Sequence, residues 1–260
     1  MTDQPSPDGT APDQPARRTT YTVGIAEPVT GEGVRRMVSF ARVDQRLQDK
    51  DARAIERYGD RWLLDLPRST NRSDVHPDAR LDPVAVFGRR APLVVEVGAG
   101  SGDATTAGGE QLPDHDLLSL EVYRPGLYDM LRKVGSRDLR NVRLLEADAV
   151  PVFETLLPAG SVREVWTFFP DPWPKTRHHK RRIVQPAFAT LVARVLEPGG
   201  VWRLATDWPD YAAWMQQVLD EHPDFEGGPD ERFAVRPMTR FERRGVAAGR
   251  PITDLTYRRR

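Results

Sequence analysis

One segment limits the possible folds of this chain more than any other: Leu93-Val94-Val95-Glu96-Val97 running directly into Gly98-Ala99-Gly100-Ser101-Gly102. An aliphatic run broken only by Glu96, with no polar alternation, describes a short strand buried on both faces. Glycines at every second position behind it describe a turn that lets the main chain approach a ligand at a helix N-terminus. The rest of the chain keeps the same rhythm. Residues 117–122, 142–145, 162–169 and 201–206 read as further strands. The fourth strand is entered through Pro158-Ala159-Gly160, the fifth through Glu197-Pro198-Gly199-Gly200. Helical stretches over 125–133, 150–157, 183–196 and 211–222 intervene. Strands alternating with helices predict an α/β fold, Rossmann-like, with a central mostly parallel sheet and helices on both faces. No internal repeat is present.

At 260 residues the chain has room for one large domain, or one domain with extensions. Residues 1–33, rich in Pro, Thr, Asp and Gly, are expected to be a disordered tail, leaving 34–260 as the folded domain. A basic N-terminal element follows over 34–66, with Arg35, Arg36, Arg42, Arg46, Arg53, Arg57 and Arg61. Within it Ala52, Ile55, Tyr58 and Leu63 approximate helical spacing. Residues 67–90 look like loop. The absence of cysteine excludes disulfide scaffolds, zinc–thiolate and iron–sulfur sites, and thiol nucleophiles. No apolar run approaches the ~18 residues that a membrane span needs. The start of the chain, with Asp3, Asp8 and Asp13, is not that of a signal peptide. A soluble cytoplasmic protein is expected.

The ligand is suggested by where acids stand. Dinucleotide-binding turns read G-x-G-x-x-G. Here the spacing is G-x-G-x-G followed by Asp103, and the strand itself carries Glu96. A pyrophosphate would be repelled by those carboxylates, whereas the ammonium of an amino-acid moiety would be attracted. This tilts the turn, with Gly98 and Gly100, from a nicotinamide dinucleotide towards S-adenosylmethionine. Glu121 ends the second strand, where open α/β sheets place a carboxylate on ribose hydroxyls. Asp148 follows the third strand, where an acceptor can meet the adenine amino group. Strand-end carboxylates also serve as helix caps. Three at successive strand ends, beside a glycine turn, favour a cofactor cleft.

The fourth strand runs into Phe168-Phe169-Pro170-Asp171-Pro172-Trp173-Pro174-Lys175. Alternate prolines fix the backbone, so Asp171 is held rigidly among aromatics, an arrangement suited to a flat nucleobase. Residues 175–182 then carry five fixed positive charges and no acid. Residues 236–260 hold eight arginines against Glu242 and Asp254. The zero net charge therefore conceals basic segments that read as a phosphate-binding face. His178 and His179 are adjacent, so their side chains diverge, and no metal is assigned. Asp207 leaves the fifth strand on the same rim. Thr239-Arg240-Phe241-Glu242 gathers a hydroxyl, a cation, an aromatic ring and a carboxylate, the last a natural acceptor for guanine N1–H and N2–H.

These motifs, across residues 93–259, resemble the bacterial tRNA (guanine-N7-)-methyltransferases of the TrmB type. The resemblance is carried by Glu96-Val97-Gly98-Ala99-Gly100, Glu121-Val122-Tyr123-Arg124-Pro125-Gly126 and Phe168-Phe169-Pro170-Asp171-Pro172-Trp173. It continues through Lys180-Arg181-Arg182-Ile183-Val184-Gln185, Ala205-Thr206-Asp207-Trp208, and the run from Arg236 to Gly245. It implies a class I S-adenosylmethionine-dependent methyltransferase that modifies the guanine conventionally numbered 46 in the tRNA variable loop. By the same resemblance Glu96, Glu121 and Asp148 bind the cofactor and Asp171 is catalytic. Lys175, Asp207, Thr239, Arg240, Phe241 and Glu242 contact tRNA, with residues 236–260 as a tRNA-contacting segment. The chain departs from the family at Tyr123, where histidine is usual, and at Arg240, where lysine is common. Nor is the long tail a family feature.

Guanine N7 carries a free lone pair, so methyl transfer to it needs no general base at the nucleophile. Positioning carries most of the catalysis. Two other readings remain open on the sequence: a methyltransferase with another nucleic-acid or small-molecule acceptor, and a catalytically idle RNA-binding module. Monomer and homodimer are equally compatible with the sequence.

Overall fold

The computed structural model describes Ser39, residues 47–69 and residues 71–260. The expected tail over 1–33 and the basic positions Arg35, Arg36, Arg42 and Arg46 lie outside the described residues. The five anticipated strands are present as β1 (Leu93–Val97), β2 (Asp116–Glu121), β3 (Val142–Glu146), β4 (Val162–Phe168) and β5 (Leu196–Thr206). They are parallel and ordered β3-β2-β1-β4-β5. β5 starts earlier than the sequence suggests, because Leu196 already pairs with Val162 ahead of an irregularity in the ladder.

Every residue of β1 and β2 is buried, since helices cover both faces. Val94, Leu117, Leu144 and Trp166 point to one face, towards α1 (Asp49–Trp62), α3 (Asp103–Gln111) and α4 (Arg124–Ser136). Val95, Leu118, Leu145 and Val165 point to the other face. There lie α5 (Ala149–Pro151), which continues as a π-helical turn over Val152–Leu156, α6 (Pro186–Val195) and α7 (Pro209–Asp220). Residues 67–90 are more than a surface loop. Val75, Ala79, Leu81 and Val86 enter the core, and a short helix α2 (Pro83–Phe87) is capped by the Asp82 side chain.

Two strands and a helix occupy the C-terminal region. β6 (Phe225–Asp230) and β7 (Thr253–Arg259) extend the sheet beyond β5 in the order β5-β7-β6, both pairings antiparallel. Between them lies α8 (Arg240–Ala247). Within residues 236–260 the arginines divide: Arg240, Arg243, Arg244, Arg258 and Arg260 are exposed, and others serve the fold. Arg236 is wholly buried and Arg250 is bound to Asp207, while Leu255 and Tyr257 are core residues. Among the described residues, no helix is long and apolar enough to cross a membrane.

Candidate active site

β1 and β4 leave the sheet at the point where strand order reverses direction, and crevices at such points bind ligands. The turn after β1 needs its glycines: Gly98, Gly100 and Gly102 have φ of 71°, 58° and 74°. The amides of Gly98 and Ala99 donate to the Leu120 carbonyl, both at 3.0 Å, fixing the turn against β2. A side chain at Gly98 would meet nothing within 4 Å, whereas one at Gly102 would strike Met130. Gly98 thus faces open space while Gly102 packs.

That space is a cavity of about 270 Å³. Gly98, Gly100, Glu121, Asp148, Asp171 and Phe241 all line it, so six of the expected site residues converge. Glu121 accepts hydrogen bonds from the amides of Gly100 (2.5 Å), Val122 (2.7 Å) and Tyr123 (2.7 Å). Its carboxylate therefore ties the glycine turn to the start of α4. The oxygen bound by Gly100 retains a lone pair for a further donor. Burial pushes the Glu121 carboxyl above the ordinary carboxylate range; the three amides oppose that rise and facing Asp171 adds to it. Asp148 caps α5 through Val150 N (3.1 Å), and its own amide donates to Ser73 O (2.8 Å).

Glu96 stands one step away, in a cavity of about 30 Å³ that shares Gly98, Phe169 and Phe241 with the first and also includes Thr239 and Arg240. It is 4 % exposed and accepts a hydrogen bond from Thr105 Oγ1, which in turn contacts Ser119 Oγ at 2.8 Å. Burial raises its pKa to about 8; Thr105 opposes the rise, and the charges of Glu121 and Asp103 add to it.

Asp171 is exposed on a stiff loop between two residues with left-handed backbone, Phe169 (φ 52°) and Trp173 (φ 44°). Such conformations are costly for aromatic residues and persist only where surroundings enforce them. Here Phe169 N donates to Ala205 O (2.7 Å), Trp173 Nε1 to Ser39 O (2.8 Å) and Arg182 Nε to Pro172 O (2.9 Å). The basic run is a 3-10 turn over Thr176–Arg181. Its charges divide by role. Lys175, Arg177 and Lys180 are exposed, Arg181 stacks on Trp173 at 3.6 Å, and Arg182 is buried, paired with Asp210 and packed on Tyr211.

Lys175, Asp207 and Glu242 line neither cavity. Asp207 is held by Arg250 at 2.8 and 2.6 Å and packs under Gly245. Thr239 caps α8 by accepting from Glu242 N at 3.1 Å. Glu242 is bound by Arg232 and Arg236. The geometry thus gives these expected substrate ligands intramolecular partners. The Thr-x-x-Glu spacing is itself a helix-capping signature, and it is the signal that marks this role in the sequence. The walls contributed by Tyr123, Phe169 and Ile183 have no such signal, because they depend on how loops fold over the sheet.

A family model described as a putative methyltransferase matches residues 90–255. A tRNA (guanine-N(7)-)-methyltransferase of Nocardioides sp. is 44 % identical, aligned over 98 % of this chain and 97 % of its own. The corresponding protein of Cutibacterium acnes is 42 % identical over 100 % of this chain and 99 % of its own. That of Paenarthrobacter aurescens is 43 % identical over 86 % and 92 %. Among solved structures, the 16S rRNA methyltransferase KamB shares the fold at a TM-score of 0.51 and 18 % identity, covering 70 % of this chain and 95 % of its own.

Proposed function

Because this chain belongs to the tRNA (guanine-N(7)-)-methyltransferase family, we propose that the cavity above β1 and β4 is where it brings S-adenosylmethionine and a tRNA guanine together. The chain is an S-adenosylmethionine-dependent tRNA methyltransferase acting on guanine N7. Our reading assigns the residues that do this and the guanine they act on.

The cavity suits the cofactor on its own chemistry. Gly98 leaves open space where any side chain would intrude. Glu121 keeps an acceptor for a ribose hydroxyl, Asp148 offers one for the adenine amino group, and Val97, Leu120 and Ala149 give an apolar wall for the base. Glu96, buried beside the turn, can give up its proton and pair with an ammonium group. When bound, S-adenosylmethionine supplies an electrophilic methyl whose bond to sulfur breaks as the bond to N7 forms.

Asp171 carries the acceptor side. It reaches the same cavity from a loop whose backbone has almost no freedom, so it can orient a guanine without a reorganisation cost. As methyl transfer makes the purine ring positive, a fixed carboxylate stabilises the developing charge. The N7 lone pair needs no base. Lys175, with Arg177 and Lys180 on the adjoining turn, and Arg240 at the start of α8, are positioned to hold tRNA phosphates. The convergence of Asp171 with Gly98, Glu121 and Asp148 on one cavity supports this reading above all else. The target is the guanine numbered 46 in the variable loop. An unmodified tRNA transcript should therefore accept one methyl group, and the same transcript with adenine at position 46 should accept none. Undiminished methylation of the altered transcript would move the target elsewhere.

A further inference from the structure

We propose that Thr105 and Ser119 are positioning residues that act through Glu96: a chain of two hydroxyls, from β2 through α3, holds one oxygen of that carboxylate so that the other can meet the ammonium group of S-adenosylmethionine. This rests on the reading of the cavity as the S-adenosylmethionine site.

The chain arises from strand register. Glu96 on β1 pairs with Ser119 on β2, so their side chains leave the sheet side by side, on the face that carries Val94 and Leu117 two residues earlier. Thr105 stands over them in the first turn of α3. That helix lies close to the sheet because Gly108 gives it room: a Cβ there would lie 2.6 Å from Leu117 Cδ2. Thr105 and Ser119 are both 0 % exposed. Thr105 Oγ1 donates to Glu96 Oε2 and meets Ser119 Oγ at 2.8 Å. A threonine has one hydroxyl proton, and here it goes to Glu96, so the proton between the two hydroxyls comes from Ser119. The chain therefore runs in one direction, from Ser119 to Thr105 to the carboxylate. It engages Oε2 and leaves Oε1 without a side-chain donor.

The fold itself does not call for this polar trio. Val94, Leu117, Leu144 and Trp166 make the rest of the face apolar. Valine for Thr105 and alanine for Ser119 would fill nearly the same space, and an aliphatic residue in place of Glu96 would avoid the cost of burying a carboxyl group. Burial works against a charge on Glu96, and Glu121 and Asp103 add to that effect; the Thr105 hydroxyl is foremost among the groups that favour the charge. Glu96 also borders the small cavity beside the glycine turn. Asp103, the other acid at that cavity, is already paired with Lys133 at 2.6 Å, which leaves Glu96 for the ligand's cation. A buried carboxyl supplied with donors from two elements is arranged to ionise when a cation arrives.

The test compares two ligands of the full chain by titration calorimetry without tRNA: S-adenosylhomocysteine and its desamino analogue, in which hydrogen replaces the α-amino group. The unaltered protein should prefer S-adenosylhomocysteine. Thr105→Val should weaken that ligand about tenfold and the desamino analogue less than about twofold, because only the ammonium draws on the charge of Glu96. Thr105→Ser, which keeps the hydroxyl, should restore binding. Ser119→Ala should weaken S-adenosylhomocysteine about threefold, again with little effect on the analogue. Thermal melts identify loss of folding, and Ser119→Ala keeps the question answerable if Thr105→Val does not fold. Equal losses for the two ligands would show that the hydroxyls only support the fold, and unchanged affinities would remove them from the site; either result would overturn the proposal. Equal affinity of the unaltered protein for both ligands would place the ammonium elsewhere, overturning the proposal but not the cavity. No binding of either ligand by the unaltered protein would overturn the cofactor site itself.

Discussion

Asp171 and Glu96 are both carboxylates at strand ends, yet the structure gives them opposite surroundings. Asp171 is exposed on a rigid loop at the cavity. Its replacement by asparagine should lower kcat about 10²-fold while leaving cofactor affinity within about twofold; wild-type turnover would remove it from the chemistry. Glu96 is buried, with its pKa raised to about 8 from the ordinary 4.5. Between those values the folded protein holds a proton that the unfolded chain releases. The contribution of Glu96 to stability is thus fully present at acid pH and lost as pH rises through about 8. Melting of the ligand-free Glu96→Gln variant should depend less on pH, and above about pH 8 it should be the more stable protein. A cationic ligand favours the ionised carboxylate, so binding S-adenosylmethionine at about pH 7 should release close to ~1 proton. Calorimetry in two buffers of different ionisation enthalpy reads this directly; identical heats would place the ammonium away from Glu96. That these positions matter is legible in the sequence, because acids following apolar runs are conspicuous. Their different states are not, since Thr105, itself in contact with Ser119, reaches Glu96 only once α3 and β2 are assembled.

At the scale of elements, what can be read and what cannot follow from packing. Strands covered by helices on both faces leave mainly apolar runs with few polar breaks, so β1 to β5 are evident. β7 alternates Leu255 and Tyr257 with Thr256 and Arg258, a half-buried pattern masked by its arginines. β6 contains Gly227, Gly228 and Pro229, which signal a turn in isolation. α3 has few large apolar residues because its glycines let it approach the sheet: a Cβ on Gly108 would lie 2.6 Å from Leu117. The basic turn after Asp171 is equally ambiguous in sequence, where five like charges look equivalent. In the fold they are not. Arg182→Ala should destabilise the protein by about 2 kcal/mol, having lost the Pro172 carbonyl and the packing on Tyr211, with tRNA affinity falling as a consequence. Lys175→Ala should leave the melting temperature unchanged, weaken tRNA binding and reduce the salt slope by ~1 phosphate contact. Equal effects of the two substitutions on stability would show that the turn is not divided in this way.

For the whole molecule, a neutral total charge hides the arrangement that lets one sheet serve two ligands. Acids gather at the ends of β1, β2 and β3, the half of the crevice proposed for the cofactor. Exposed cations gather beyond β4 and at the start of α8, where a polyanion can approach. Part of the arginine content serves the fold instead, with Arg236 and Arg250 fastening the C-terminal elements to the sheet. The most direct measurement is to incubate the purified protein with labelled S-adenosylmethionine and unmodified tRNA, digest the product and identify the labelled nucleoside. The expected result is 7-methylguanosine alone, reduced about 10²-fold in rate with Asp171→Asn. Label in any other nucleoside, or none with cofactor binding intact, would contradict the assignment of this cavity to guanine N7 transfer.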